Sequence, residues 1–228
     1  MHTQVAWTTF FRWRGMTWLS RLIYSYRAPI LFGTEIAYLQ GMRVEVTGAD
    51  ERLLASDYDG RTKRMADGAD ILYIAGHGRQ ARGQFELLLH SDEWRPASAG
   101  LDGNGPRVAI FDACNLITPN DGDWAAPWMA AVRPNLRLVL GFASNATVSK
   151  AASFRGEEFA ERVARGDTIA GAWIAAVRSH DAHGRDRPVA IAFGSDDTEA
   201  KHLLGHGNLA TVLSMPPLTS AAVVRRQL

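Results

Sequence analysis

The sequence is poor in cysteine, with Cys114 as its single thiol among 228 residues. One thiol cannot form an intramolecular disulfide, so folding needs no oxidising compartment and we expect a reduced, cytoplasmic protein. Long apolar runs are also missing, because no stretch reaches the roughly 18 uninterrupted apolar residues typical of a membrane-spanning helix. The N-terminus is aromatic and dotted with arginines, without the apolar run of a signal peptide. The sequence therefore predicts neither a disulfide-rich scaffold nor a membrane partner.

An excess of charge of either sign is absent as well. Lys and Arg number 25 against 24 Asp and Glu, a formal net charge of +1. Because proteins that bind nucleic acid or acidic membranes usually carry a basic excess, we predict neither partner. The phosphate-binding P-loop and the G-x-S-x-G turn of serine hydrolases are missing too. His202 and His206 have the spacing of two ligands on a helix but no evident third ligand, so no metal and no cofactor is predicted.

What the sequence does contain is an alternation of apolar runs and helical segments. Strands are predicted at 42–46, 69–75, 107–112, 136–142 and 188–193, and helices at 34–40, 124–132, 153–165 and 167–179. Near-continuous apolar strands indicate a parallel sheet that is covered on both faces, which predicts an α/β fold. We assign 1–195 to one domain, in which 1–33 is an N-terminal extension or a first sheet element. The polar and Gly-rich tail, 196–228, is interpreted as a loosely attached C-terminal extension.

Two chemically reactive side chains follow two of these strands. His77 stands between two glycines after the strand at 69–75, and Cys114 stands just after the strand at 107–112. If the two strands are parallel neighbours, both residues emerge at the same edge of the sheet. A histidine there can take the proton of the thiol, which makes the sulfur a nucleophile, and can later protonate a leaving amine. The backbone N–H groups of Gly78 and Cys114 are the predicted oxyanion donors.

Each of these residues also has a purely structural interpretation. A lone cysteine at a strand end is commonly a small buried apolar residue, and a histidine between glycines is commonly a turn residue. The matched positions of the pair favour the catalytic interpretation. Ser144 and Asn145 follow the strand at 136–142, and we expect them at the same edge as candidates for substrate contact.

The segments 69–78 (ADILYIAGHG) and 106–115 (PRVAIFDACN) resemble the motifs of the cysteine-peptidase clan that contains caspases, metacaspases, legumain and gingipain. The histidine precedes the cysteine by 37 positions, and a helix, the strand RLVLGFAS, two further helices and a last strand follow in that clan's order. The stretch 36–194 is similar to a bacterial group of caspase-like domains. The resemblance implies a three-layer α/β/α sandwich with a mostly parallel central sheet, a His77/Cys114 dyad, and a peptide or protein substrate.

The residues around the cysteine both extend the resemblance and depart from it. Asp112 matches the acidic residue that lines the substrate pocket of metacaspases and selects Arg or Lys, which implies a basic preference at that subsite. An aspartate that bonds backbone groups at the strand end is the equal alternative. The continuation Asn115-Leu116-Ile117 differs from the Arg-Gly of caspases and the His-Ser-Gly of metacaspases.

Three functions therefore stay open at this point. The first is a cysteine-dependent amide-bond hydrolase or transpeptidase, since legumain-like relatives imply that this fold permits ligation as well as hydrolysis. The second is a catalytically silent, caspase-like binding or scaffold domain, for which the unusual continuation after the cysteine is the best support. The third is a tailoring enzyme, such as a cyclase or acyl transferase, whose Cys–His pair acts on another acyl substrate.

Overall fold

The computed structural model describes residues 2–7, 27–47, 69–88, 93–96, 105–117, 124–131 and 134–227. The strands are β1 (His2–Trp7), β2 (Arg43–Thr47), β3 (Ile71–Ala75), β4 (His77–Ala81), β5 (Gln84–Leu88), β6 (Glu93–Trp94), β7 (Val108–Asp112), β8 (Leu138–Phe142), β9 (Pro188–Gly194) and β10 (Ala222–Gln227). The α-helices are α1 (Arg27–Gln40), α2 (Ala125–Ala131), α3 (Arg155–Ala164), α4 (Ile169–His180), α5 (Asp197–His206) and α6 (Leu209–Ser214), and a 3₁₀ helix (Ala152–Phe154) precedes α3.

One sheet joins seven of these strands in the order β10-β9-β8-β7-β3-β1-β2. The five strands from β8 to β2 are parallel to one another, whereas β9 is antiparallel to β8 and β10 is antiparallel to β9. In the register of β3 and β7, Ala75 lies opposite Asp112. The carboxyl ends of these two strands therefore lie side by side, and the predicted, mostly parallel α/β sheet is confirmed.

Apolar side chains cover both faces of the sheet, because every residue of β3, β7, β8 and β9 is buried. Tyr73 and Ile110 face a core that contains apolar residues of α1, α3, α4, α5 and α6. Leu72 and Phe111 face the opposite core, together with Trp128 of α2 and the smaller sheet described next. This arrangement is a three-layer sandwich, as the resemblance implies.

A three-stranded antiparallel sheet, β4-β5-β6, lies on that second face. Its β4–β5 turn contains Arg82 and Gly83, whose φ angles of 53° and 76° are those that a two-residue type I′ hairpin requires. Glu86 of β5 is buried and bonds Arg79 at 2.7 Å and Arg95 at 2.7 Å. The sequence analysis does not predict this sheet, since its strands are short and one carries a buried charge.

The two ends of the chain are part of the fold. β1 lies inside the sheet between β2 and β3, so the N-terminal segment supplies a sheet element. At the other end, Ala200, Leu203 and Val212 of α5 and α6 are buried in the core, and β10 pairs with β9. The interpretation of the tail as loosely attached is therefore corrected, because apolar residues of α5 and α6 belong to the core and β10 extends the sheet.

The closest helix contact generates a stability prediction. A Cβ atom at Gly156 of α3 would overlap the backbone carbonyl of Ala28 in α1. Gly156→Ala must push the two helices apart, and we expect the free energy of unfolding to fall by about 1–3 kcal/mol in urea denaturation. Gly205→Ala in α5 is the matched control, because a Cβ atom there meets nothing within 4 Å. This control should be neutral or stabilising by up to about 1 kcal/mol, and equal losses in both variants would contradict the close contact.

Candidate active site

The ends of β3 and β7 bring the segments of His77 and Cys114 together. The Gly76 N–H donates a hydrogen bond to the Asp112 carbonyl oxygen at 3.1 Å, which extends the pairing of the strands beyond Ala75. Two residues later, a Cβ atom at Gly78 would overlap the Cys114 carbonyl oxygen. His77 lies between these two contacts and thus stands beside the cysteine backbone. Glycine at 78 is needed because the protein's own Cys114 carbonyl approaches it.

The hairpin leaves the Gly78 N–H outside the β4–β5 ladder. In a two-residue hairpin the pair that flanks the turn, here Ala81 and Gln84, exchanges hydrogen bonds, and such pairs alternate along an antiparallel ladder. Gly78 lies opposite Leu87, three pairs further on, at a position that does not bond β5. Its N–H therefore points away from β5, as the predicted oxyanion donor requires.

The turn that carries Cys114 is fixed by the end of β8. The Asn115 N–H donates to the Ser144 carbonyl oxygen at 2.8 Å, and the Asn115 side-chain amide donates to Asn145 Oδ1 at 3.0 Å. Asn115 has a φ angle of 56°, in the left-handed region that asparagine tolerates better than most residues. The two candidates for substrate contact, Ser144 and Asn145, thus lie next to the cysteine turn, and Asn145 is exposed.

Both members of the predicted dyad are neutral at neutral pH. Burial raises the pKa of the Cys114 thiol, the Ala146 N–H that donates to Sγ at 3.2 Å opposes this, and the Asp112 carboxylate adds to the rise. Burial also lowers the pKa of His77, which keeps its imidazole uncharged. In the resting state Cys114 is therefore a protonated thiol and His77 an uncharged imidazole, so the thiolate must be generated during attack.

The carboxylate of Asp112 forms an ion pair with a buried arginine, Arg155. Arg155 Nε donates to Asp112 Oδ2 at 2.8 Å, Arg155 Nη2 donates to Oδ1, and the Tyr73 hydroxyl donates to Oδ2 at 3.1 Å. Burial raises the pKa of Tyr73, so its hydroxyl stays a donor. Only 4% of Asp112 is exposed. This geometry does not leave the carboxylate available to a basic substrate side chain, and it disagrees with the substrate-binding role predicted for Asp112.

The sequence analysis missed three residues of the surrounding network. Arg155 Nη1 donates to the Thr147 carbonyl oxygen at 2.9 Å. The Thr147 N–H and hydroxyl both donate to Asp186 Oδ1, at 2.9 Å and 2.6 Å. The sequence does contain a pattern that identifies the arginine as a buried residue. Arg155 continues the buried stripe of Phe159 and Val163 at helical spacing. A charge in such a stripe must be paired inside the protein.

A shallow recess of about 10 Å³, enough for one water molecule, lies beside the cysteine turn, between the hairpin and α2. Its lining includes Phe85, Leu116, Trp124 and the side chain of Gln80, whose amide donates to the Asn115 carbonyl oxygen at 2.8 Å. The recess is thus mainly apolar and begins two residues after Cys114.

Across the described ranges, no three or more His, Cys, Asp and Glu side chains are grouped as metal ligands. The rings of His202 and His206 on α5 are tilted by 33° to each other, with centroids 4.8 Å apart. None of the described helices combines the length and the apolar character needed to cross a bilayer.

The family of the chain follows from a comparison with family models. The model described as "Domain of unknown function (DUF6345)" matches residues 48–224, which is most of the chain. The chain belongs to the DUF6345 family. The part of this DUF6345 member that matches includes the ends of β3 and β7, the cysteine turn and Arg155. No curated protein matches the chain.

The neutral resting state predicts how the thiol titrates. Because the DUF6345 member has one cysteine and five tyrosines, the absorbance change near 240 nm that is lost in Cys114→Ser reports the Cys114 thiolate, whereas the tyrosinates absorb in both proteins. We expect a midpoint above the value of about 8.5 for a free cysteine, and a return to that value in denaturant. The folded state then keeps its proton where the unfolded state has lost it, so this thiol lowers the free energy of unfolding as pH rises above about 8.5. Cys114→Ser should remove that component, and a folded-state midpoint below 8 would contradict the neutral thiol.

Proposed function

We propose that this domain is a cysteine-dependent amide-bond hydrolase in which Cys114 is the nucleophile and His77 is the general base and then the acid. The observation that carries the proposal is the shared position of the ends of β3 and β7, where only glycine fits at 78 beside the Cys114 carbonyl. The resemblance to the caspase-containing clan supports the same pair of residues and a peptide or protein as substrate.

The chemistry starts from the protonated thiol. His77 takes the thiol proton while Sγ attacks the carbonyl carbon, so a C–S bond forms and the carbonyl π electrons move to oxygen. The N–H groups of Gly78 and Cys114 stabilise the resulting oxyanion. When the C–N bond breaks, the imidazolium gives its proton to the leaving amine. A water molecule that His77 deprotonates then attacks the acyl group, and the expelled thiolate recovers the proton.

The loop after β8 contributes to this chemistry in two ways. The Ala146 N–H that bonds Sγ stabilises negative charge as it forms on the sulfur during attack and when the thiolate leaves. Asn145 is exposed on the same loop and Ser144 is half-buried beside it, and we propose that both contact the chain of a bound peptide. An amine in place of water as the acceptor would make the same site a transpeptidase.

A neutral side chain next to the scissile bond fits the site better than a basic one. The charge of Asp112 is already balanced by Arg155, whose three donor groups all have partners. The described residues that line the shallow recess beside the cysteine turn include no carboxylate. We therefore favour substrates with a neutral side chain at that position.

A catalytically silent binding domain is the second candidate. The raised pKa of Cys114 favours it, because a thiol that ionises late is a weak nucleophile without an active base. Reactivity separates the two functions, since a silent domain has an ordinary or slow thiol that does not depend on His77. A tailoring enzyme would instead have a reactive, His77-dependent thiol that turns over no peptide.

The test compares His77→Ala with wild type in two assays. Iodoacetamide labelling near pH 7.5 should slow in the variant, and hydrolysis of a peptide library should fall by about 10²–10⁴-fold, which is the usual contribution of a general base. Cys114→Ser should abolish both signals. The library should carry apolar, amide and basic residues before the scissile bond.

His202→Ala is the matched control, because His202 lies on the exposed surface of α5. We expect it to label and hydrolyse like wild type, with the folding of every variant verified by circular dichroism. Labelling that is slow in wild type and unchanged in His77→Ala would reject the hydrolase and favour the binding domain.

A further inference from the structure

Arg155 joins the chain segments that meet around the thiol, and we propose that it is a positioning residue that holds the Ala146 N–H against Cys114 Sγ. The effect of this role on catalysis rests on the proposed hydrolase function. The placement of the Ala146 N–H is inferred from the contacts of Arg155 alone. Neither composition nor the caspase-like motifs single out this arginine, which reaches the site from the first residue of α3.

The guanidinium uses each of its nitrogens to connect two segments. Nε and Nη2 bond the carboxylate of Asp112, two residues before Cys114, and Nη1 bonds the carbonyl of Thr147, one residue after Ala146. One planar, rigid group thus spans from the strand that carries the nucleophile to the loop that carries its hydrogen-bond donor. The fixed fork of arginine suits this task, because its donors keep their relative positions.

The loop is held on both sides of Ala146. Asp186 accepts hydrogen bonds from the Thr147 N–H and hydroxyl, while Arg155 binds the Thr147 carbonyl from the other side. Before Ala146, the Ser144 hydroxyl accepts a hydrogen bond from the Arg187 N–H at 2.9 Å. The Ala146 N–H therefore keeps its direction toward Sγ through contacts of its neighbours.

The surroundings of Arg155 explain why lysine cannot replace it. Only 6% of Arg155 is exposed, and its guanidinium carbon lies 5.1 Å from the centroid of the Phe142 ring. A lysine at this position keeps the positive charge, but its single nitrogen cannot bond both oxygens of Asp112 and the Thr147 carbonyl in the same geometry. Arg155→Lys thus removes the connection while it preserves the sign of the buried charge.

The first measurement is the pH profile of Cys114 in Arg155→Lys, from thiolate absorbance and iodoacetamide labelling. When the Ala146 N–H no longer points at Sγ, the thiolate loses a hydrogen bond that stabilises it. The titration midpoint of Cys114 should therefore rise. Labelling near pH 8 should fall by about threefold or more, since the rate follows the fraction of thiolate. A thermal melt of each variant records whether it is folded.

A second variant and a control complete the design. Asp112→Asn/Arg155→Gln removes both buried charges at once, a change that proteins often tolerate. Loss of the Asp112 charge by itself lowers the midpoint, so a rise above the wild-type value in this variant reports the loss of the Ala146 donor. Arg162→Lys is the matched control: Arg162 lies on the same helix and bonds Glu158 Oε1 at 2.8 Å and 2.6 Å. We expect its thiol profile to match that of wild type.

A wild-type pH profile in Arg155→Lys and a midpoint at or below the wild-type value in the double variant would overturn the inference, even if the melting temperatures fall, because Arg155 would then only stabilise the fold. The result is independent of the dyad. If His77→Ala labels like wild type while Arg155→Lys raises the midpoint, the proposed hydrolase fails and the positioning role stands. If His77→Ala loses reactivity while Arg155→Lys titrates like wild type and the midpoint of the double variant does not rise, the hydrolase stands and the positioning role fails.

Discussion

The buried ion pair of Asp112 and Arg155 is the interaction on which the geometry around the cysteine depends. Removing two charges from water costs several kcal/mol for each ion, so the pair persists only with well-aligned partners for both groups. Those partners are the Tyr73 hydroxyl for the carboxylate and the Thr147 carbonyl for the guanidinium. Because each partner belongs to a different element, the pair aligns β3, β7, the loop after β8 and the start of α3. The close contact of α3 with α1 at Gly156 then extends this alignment to the helical layer.

This arrangement has a consequence for the chemistry of the thiol. A site built on a buried carboxylate opposes ionisation of a neighbouring cysteine, because the negative charge of Asp112 disfavours a thiolate. Arg155 and the Ala146 N–H act in the opposite direction, and burial remains the dominant effect. The proposed enzyme therefore differs from one that stores a preformed thiolate–imidazolium pair, and it depends on proton transfer to His77 within the attack step. A thiol that ionises only with a substrate in place is also protected from adventitious oxidation.

The strands could be predicted from the sequence because burial on both faces leaves a continuous apolar run, as in β3 and β7. The juxtaposition of His77 and Cys114 follows from the same argument, since the ends of parallel neighbours meet at one edge. The β4–β6 sheet could not be predicted, because β4 is polar and Glu86 is buried only by virtue of its arginine partners. The partner of Asp112 lies 43 positions away on another element, and charge alone does not identify it.

The continuation Asn115-Leu116-Ile117, which departs from the caspase and metacaspase motifs, has a packing explanation. Leu116 and Ile117 are buried in the core beneath the small sheet. Gly141 of β8 makes room for Leu116, because a Cβ atom there would lie 2.8 Å from Leu116 Cδ2. The turn after the cysteine is therefore held by apolar packing below and by backbone hydrogen bonds to β8 at its side. The N–H groups of Asn115 and Leu116 already donate to the carbonyl oxygens of Ser144 and Phe142, so the proposed oxyanion site draws on the N–H groups of Gly78 and Cys114 instead.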